Sequence, residues 1–375
     1  MIKYAIRRTL LAIPVLFGIS LVTFWILQLA PGGPEARFAQ NTRVTPEQIA
    51  EFRARWGLDQ PIPVQYCRWL GFCNPEVSGT VLGVFPSPLA LIGPNAPWPN
   101  FLPTAISGAD NGVFHGDLGF SIQNGQPVTD VIGERIGPTI ILAGTAWILW
   151  LICAFLLGVL AAVKRYSVFD TGFTIATYVG YAMPTFLLGL LLIFLFTQPP
   201  LKLFPVGGMW DVRTIPSFGT DAYWQMLAQQ PLKVLGDLAQ HLVLPVITLM
   251  VVNVAGDSRF IRASMLDALD QDFIKTAKAK GVSDRGVTYH HALRNALLPA
   301  ITNIGLEIPF LFAGAIVTET IFSWPGMGRL SIEATRNFDY PILMGVLVVT
   351  AIITVGANIL ADIAYAVVDP RVKYD

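Results

Sequence analysis

The chain has 375 residues, of which 53% are hydrophobic and only 13% charged, and its 25 basic residues balance its 25 acidic residues. Soluble domains carry about 25% charged residues, so this chain lacks the polar side chains that a fully water-facing surface needs, and a lipid bilayer is predicted to cover much of it. The zero net charge argues against a nucleic-acid-binding protein, and 11% aromatic residues exclude a disordered chain. Three cysteines are too few for a disulfide-rich scaffold or a four-thiolate zinc site.

Six apolar stretches are long enough to cross about 30 Å of hydrocarbon at about 1.5 Å per residue. The first follows three basic residues but exceeds the apolar region of a cleavable signal peptide, so it is predicted to remain as a helix. Pro184, Pro245 and Pro309 lie within spans and are typical either of kinks in a moving pathway or of static packing irregularities. The predicted fold class is an all-α membrane protein with six transmembrane helices, at 9–30, 139–163, 172–197, 238–256, 298–321 and 342–368.

Basic residues concentrate in the short loops on one side of these spans, which predicts that both termini are cytoplasmic. The predicted domains are the N-terminal end with the first helix (1–30), an extracytoplasmic cap (31–138), and a five-helix core (139–375). The core includes a long cytoplasmic loop, 257–297.

The cap segment is rich in proline and glycine, and only its first part has a helical pattern. Thr45 is placed to cap an amphipathic helix that has Pro46 in its first turn and runs to Leu58. The segment either receives a partner or is a solvated insertion. Cys67 and Cys73 are close enough in sequence for a small disulfide loop, but two unpaired thiols fit equally, because spacing does not determine the Cα separation.

The loop 257–297 carries apolar residues at helical spacing from Ile261 through Phe273 to Ala277, with charged residues between them. One amphipathic helix is therefore predicted, ended by Gly281. Ser283 is placed to cap a second helix that passes His290 and His291. The turn between these two helices, at Gly281 to Ser283, is called the elbow. It either contacts a soluble partner or only anchors the loop at the membrane surface.

Two runs in this loop resemble the permease motif of bacterial ABC importers. They are Asp272-Phe-Ile-Lys-Thr-Ala-Lys-Ala-Lys-Gly281 and Arg294-Asn-Ala-Leu-Leu-Pro299, in a form similar to the dipeptide/oligopeptide/nickel branch. Residues 70–115 have no recognised counterpart. Further matching runs are Pro31-Gly32-Gly33, Leu58-Asp59-Gln60-Pro61, Gly116-Asp117-Leu118-Gly119, Leu203-Phe204-Pro205-Val206-Gly207-Gly208, Glu319-Thr320-Ile321-Phe322-Ser323-Trp324-Pro325-Gly326-Met327-Gly328-Arg329 and Asp369-Pro370-Arg371.

The resemblance implies a type I ABC importer permease whose motif helix docks on a separate ATPase and transmits its closure. Thr276, Ala277 and Gly281 take the core positions of the motif, and Thr276 stands where many importer permeases have glutamate. The implied partners are a second homologous permease, two ATP-binding subunits, an extracytoplasmic solute-binding protein and membrane lipids. The implied ATPase-coupling residues are Asp272, Lys275, Thr276, Ala277, Lys278, Ala279 and Gly281.

The chain contains no Gly-Lys dipeptide and therefore no phosphate-binding loop, so ATP and magnesium are predicted to bind the partner subunits and no cofactor to bind this chain. The four histidines form no zinc motif, so neither a metal site nor an enzyme is predicted. Glu307 is the one acidic residue placed deep within a predicted span, and Met327 lies in an outer loop of glycine turns. Both are candidates for the translocation path.

The sequence thus predicts the permease subunit of a binding-protein-dependent importer in the bacterial cytoplasmic membrane, with di- or oligopeptides as substrates. Nickel and oligosaccharides are the alternative substrates within the family. The rivals from other classes are an autonomous secondary carrier or channel and a non-transporting membrane scaffold. Changing Gly281 to proline or Ala277 to glutamate is predicted to uncouple ATP hydrolysis from uptake.

Overall fold

The computed structural model describes residues 2–29, 45–56, 58–71, 80–81, 85–86, 112–297 and 315–368. Apart from one antiparallel pair of two-residue strands, β1 (Thr80–Val81) and β2 (Phe85–Pro86), the regular structure in these ranges is helical, which confirms the all-α class. The α-helices are α1 (Ile2–Leu29), α2 (Pro46–Trp56), α3 (Ile62–Leu70), α4 (Val128–Val163), α5 (Val168–Ala182), α6 (Thr185–Thr197), α7 (Asp221–Gln229), α8 (Pro231–Leu269), α9 (Asp272–Ala279), α10 (Asp284–Gly286), α11 (Ile316–Ile321), α12 (Met327–Arg336) and α13 (Tyr340–Val368).

Four helices in the described part of the chain are long and apolar enough to cross a membrane: α1, α4, α8 and α13. The bent pair α5 and α6 supplies a fifth span if the two helices cross together. The predicted span 298–321 falls largely outside the described residues, as does Pro309, so the count of six remains a prediction. The helix α4 begins at Val128, well before the predicted start at 139.

The predicted span 172–197 is not one continuous helix, because the chain bends by 103° between α5 and α6, at the position where a kink at Pro184 was predicted. Met183 is extended (φ −78°, ψ 122°) and Pro184 follows it. Proline has no N–H to continue the helix and disfavours helical geometry in the residue before it. By contrast, α8 continues through Pro245, so the predicted kink at that position remains a prediction.

The described residues belong to two compact units, and the larger one comprises Met1–Leu10, Glu134–Arg329 and Ile353–Asp375. Its packing centres on the long helix α8. A Cβ atom on Gly158 of α4 would lie 2.6 Å from the Ser258 carbonyl oxygen, and one on Gly180 of α5 would lie 3.2 Å from Val251. The first distance leaves no room for a Cβ atom and the second is a tight contact, so both neighbouring helices approach α8 closely.

The second unit comprises Leu11–Gly133 and Leu330–Ile352, and in it α3 packs on α1 through aromatic rings. The Tyr66 ring lies 5.2 Å from that of Phe24, and its hydroxyl is 2.8 Å from Ser20 Oγ. Burial raises the pKa of Tyr66. Cys67 of α3 is disulfide-bonded and Cys153 is a free thiol, while Cys73 lies outside the described residues.

The predicted amphipathic helix after Thr45 is confirmed as α2. The Thr45 Oγ1 atom accepts from the Gln48 N–H at 3.4 Å, and the Thr45 N–H donates to Gln48 Oε1 at 3.0 Å. This reciprocal pair is a capping box, which satisfies two N–H groups at the start of the helix.

In the second unit, the buried Asp339 carboxylate accepts hydrogen bonds from Ser121 Oγ and from the Ile122 and Gln123 N–H groups. One side chain therefore orders the turn before α4.

Candidate functional site

The candidate coupling segment is two helices rather than the single one predicted between Ile261 and Gly281. The helix α8 ends at Leu269, Gln271 is extended (φ −73°, ψ 152°), and α9 begins at Asp272. Met265 and Ala268 are buried on α8, and a straight continuation would put Asp272 and Lys275 on the same side. The break keeps these charges exposed and lets Ile274 and Ala277 be buried instead.

The buried side of α9 packs inside this chain. Ile274 is 2% exposed and Ala277 is 6% exposed. Both belong to an apolar cluster formed with α4, α8 and the segment after α10, whose buried members include Ala154, Val159, Ala162, Ile261, Met265, Val287, Ala292 and Ala296. Glutamate at Ala277 would bury a carboxylate in this cluster, so that variant tests folding rather than coupling. The other side of α9 is exposed and carries Asp272, Phe273, Lys275, Thr276, Lys278 and Ala279.

The exposed side of α9 combines a half-exposed aromatic ring with polar and basic groups. Phe273 is 39% exposed, and Thr276 lies one turn later on the same side. The Lys275 ammonium is 2.8 Å from the Asp272 carboxylate, but both side chains are largely exposed, so this ion pair contributes less than about 1 kcal/mol to stability. The exposed side of α9 is therefore not held together by strong internal bonds.

The glycine stop and the serine cap predicted after this helix are both confirmed. Gly281 has a left-handed backbone (φ +79°), and its N–H donates to the Lys278 carbonyl at 2.9 Å. The Ser283 Oγ atom accepts from the Gly286 N–H at 3.3 Å and caps α10. The chain then continues as a π-helix, Val287–Ala292, which contains His290 and His291. A sharp, defined elbow thus joins α9 to the next helical segment.

A buried ion pair between α5 and α8 is not predicted by the sequence patterns above. The Arg262 guanidinium of α8 donates two hydrogen bonds, each 2.8 Å long, to the Asp170 carboxylate of α5. Asp170 is only 4% exposed and also accepts from the Tyr166 N–H. The Ser167-x-x-Asp170 spacing was an available signal, because it is typical of a helix start, and Ser167 Oγ does accept from the Asp170 N–H.

A second, weaker ion pair joins the same loop to the break between α8 and α9. The Arg165 guanidinium lies 4.0 Å from the Asp270 carboxylate, with side chains 42% and 72% exposed. The two pairs connect the α4–α5 loop and the first turn of α5 to the last two turns of α8 and its C-cap. The buried pair is the stronger support, because water screens the exposed one.

The motif between Glu319 and Arg329 closes around a buried carboxylate. Glu319 of α11 is fully buried, and its carboxylate accepts from Thr139 Oγ1 at 3.1 Å and from the Arg329 N–H at 3.0 Å. The Met327 N–H donates to the same Thr139 hydroxyl at 2.8 Å, and the Trp324 indole N–H donates to the Pro138 carbonyl at 2.9 Å. These bonds hold the loop against α4.

The candidates for the translocation path have different placements. Met327 is 3% exposed and is buried within this chain, while Glu307 lies outside the described residues. Both assignments stay predictions. In the described ranges, no group of three or more histidine, cysteine, aspartate or glutamate side chains is arranged to hold a metal ion.

Replacing Gly326 with alanine is expected to destabilise the protein by more than about 2 kcal/mol. A Cβ atom at this position would lie 2.5 Å from the Glu319 carboxylate carbon, in a site where the carboxylate is already bonded on several sides. Thermal unfolding of the detergent-solubilised protein measures the change. Gly256→Ala is the matched control, because nothing lies within 4 Å of its added methyl group and alanine favours a helix. An equal effect of both variants would contradict the tight packing of the loop.

Several apolar helices of membrane-spanning length and the loop motif are typical of a multi-pass transport subunit, and comparison with known proteins agrees. Residues 154–374 match the family model described as binding-protein-dependent transport system inner membrane component, and residues 1–84 match the model of its N-terminal part. The chain belongs to this family, which confirms the resemblance seen in the loop motif.

Full-length relatives have names that describe peptide transport. The oligopeptide transport system permease protein AppB of Bacillus subtilis is 35% identical, and the alignment covers 100% of both chains. The dipeptide transport system permease protein DppB of Escherichia coli K12 is also 35% identical, over 100% of this chain and 99% of the relative. DppB of Alkalihalophilus pseudofirmus is 34% identical with full coverage of both chains.

Proposed function

We propose that this chain imports di- or oligopeptides as one permease of an ABC importer, together with a second homologous permease, two ATP-binding subunits and an extracytoplasmic solute-binding protein. ATP and magnesium bind the ATPase subunits in this proposal. Both termini and the elbow are cytoplasmic, and the segment 31–138 receives the solute-binding protein. The full-length similarity to relatives with peptide-permease names supports the substrate class.

The observation that carries the coupling role is the arrangement of α9. Its apolar side is buried against α4 and α8, so a force applied to its exposed side is transmitted to helices long enough to cross the membrane. Phe273 and Thr276 occupy that exposed side, and Gly281 ends it sharply. We assign the contact with the ATPase to Asp272, Lys275, Thr276, Lys278 and Ala279, and the support of this contact to Ala277 and Gly281.

The test is uptake by proteoliposomes that contain the complete complex. Labelled trialanine is expected to accumulate when Mg-ATP and the solute-binding protein are present, and omission of the ATPase subunits is expected to abolish accumulation. Nickel ions and an oligosaccharide serve as alternative substrates in the same preparation. Accumulation of either one without trialanine would contradict the peptide assignment. Uphill uptake by this chain alone under an ion gradient would contradict the importer assignment and favour an autonomous carrier.

A further inference from the structure

The chain after the elbow is wound more loosely than an α-helix. Between Val287 and Ala292 it forms a π-helix, and the Leu293 N–H donates to the carbonyl of Thr288, five residues back. An α-helix bonds four residues back, and single π turns within α-helices are rare and frequently lie at functional sites. We call the segment Val287–Ala292 the π turn. Beyond it the chain continues as an ordinary α-helix over 293–297.

The spacing of the buried side chains follows this looser winding. Val287, Ala292 and Ala296 are all buried, and they belong to the apolar cluster that also holds Ile274 and Ala277 of α9. The first spacing is five residues and the second is four. In an α-helix, two residues five apart point about 140° away from each other. Val287 and Ala292 therefore share one cluster only because the π turn lies between them.

A second register is open to this segment, because Thr288 lies four residues before Ala292. In an α-helical register Thr288 would take the buried place that Val287 holds now, since residues four apart share a helix face. Valine and threonine have the same branched shape and differ by the threonine hydroxyl. That hydroxyl already has a partner, because Thr288 Oγ1 donates to the Asp284 carbonyl at 2.8 Å, a bond that α-helices also allow. The two registers therefore differ little in packing.

The cap of α10 can follow the same shift by one residue. Ser283 Oγ now accepts from the Gly286 N–H. Asp284 is the next residue, and aspartate caps a helix start as well as serine does. After the shift, Asp284 would cap in place of Ser283 while Thr288 replaces Val287. The residue released from the π turn would lengthen the elbow by at most about 3.5 Å of extended chain.

We propose that the π turn is a register switch through which the elbow lengthens and α9 moves when the ATPase closes. In the second state, residues 284–288 are shifted by one position and the π turn is α-helical. The π turn and α9 share one apolar cluster, so a push on the exposed side of α9 acts directly on the switch. The link to ATP rests on the proposed function, whereas the existence of two registers does not.

The two registers are tested in the full-length chain in detergent, with Val287→Cys as the reporter. This thiol is buried in the π register and leaves the buried place in the second register. Its labelling by N-ethylmaleimide is followed by peptide mass spectrometry, which separates it from the free thiol of Cys153. Adding Thr288→Val is expected to raise the labelling rate about fivefold, because a methyl group occupies the buried place at lower cost than a hydroxyl. An unchanged rate would overturn the inference.

The matched control for this comparison is Thr335→Val. Thr335 Oγ1 donates to the Ser331 carbonyl at 2.7 Å, so the substitution removes the same kind of bond from an ordinary α-helix. It is expected to leave the labelling rate at position 287 unchanged, and thermal unfolding verifies that both variants stay folded. An equal rise with both variants would show general loosening of the chain and would also overturn the inference.

The link to ATP is tested in the complete complex, without nucleotide and after trapping with Mg-ATP and vanadate. Trapping is expected to increase the labelling of Val287→Cys and to decrease that of Thr288→Cys. Ala296→Cys lies beyond the π turn and is expected to stay protected in both states. Unchanged protection at position 287 in a complex that hydrolyses ATP would overturn the proposed movement. A wild-type complex that transports no peptide would contradict the proposed function, but the result for the isolated chain would stand.

Discussion

Peptide uptake by the reconstituted importer is expected to fall about 100-fold when Gly281 is replaced by proline, while the ATPase subunits continue to hydrolyse ATP. Proline requires a φ near −65°, whereas Gly281 has a φ of +79°. Proline also removes the N–H that donates to the Lys278 carbonyl. The elbow would then open, and α9 would no longer hold its exposed side in the orientation that the ATPase meets.

Asparagine at the same position separates backbone geometry from side-chain size. Asparagine tolerates the left-handed conformation better than other non-glycine residues, so Gly281→Asn is expected to recover a large part of the uptake that Gly281→Pro loses. The measurement is the ratio of peptide imported to ATP hydrolysed, in complexes checked for assembly. If Gly281→Pro keeps the wild-type ratio, the coupling role assigned to this elbow is wrong.

Removal of the Arg262 side chain is expected to have the largest effect on stability, a loss of about 3 kcal/mol for Arg262→Ala. The substitution leaves the Asp170 carboxylate, which is only 4% exposed, without its two hydrogen bonds from the guanidinium group. The remaining Tyr166 N–H cannot replace a positive charge. Unfolding of the detergent-solubilised protein, followed by thermal or denaturant titration, measures the loss.

The exposed ion pair between Arg165 and Asp270 is the matched control. Arg165→Ala removes the partner of Asp270, but these side chains are 42% and 72% exposed, so the expected change is below about 1 kcal/mol. The double variant Asp170→Asn with Arg262→Gln removes both charges and should be less destabilised than Arg262→Ala alone. Equal effects of Arg262→Ala and Arg165→Ala would show that burial does not strengthen the Asp170 pair.

Local patterns in the sequence were sufficient for the helix ends in the elbow. Gly281 is needed for a left-handed stop, and Ser283 lies three residues before the N–H that it caps, so both are decided by neighbours in the chain. The capping box at Thr45 was predictable for the same reason. The family was also identifiable from the loop, because its motif consists of short runs of neighbouring residues.

Periodicity did not reveal the break between α8 and α9. The spacing from Ile261 to Ala277 allowed one continuous stripe, with Phe273 as a buried member. In the structure Ile274 is buried instead, because the chain turns at Gln271 to keep Asp272 exposed. A hydrophobic pattern shows which residues are apolar. It does not show on which side of the helix the neighbouring elements that bury them will lie.

The amino-acid sequence alone determined that this is a helical membrane protein and which family it belongs to. It also determined where α9 stops, at Gly281, and where α10 is capped, at Ser283. These properties depend on composition and on residues a few positions apart. Only the tertiary structure brought Asp170 to Arg262, Glu319 to Thr139, and Arg259 to the tyrosines of α5. The partners in the first two pairs are 92 and 180 residues apart, and no local pattern encodes such contacts, because they arise from how the long helices pack against one another.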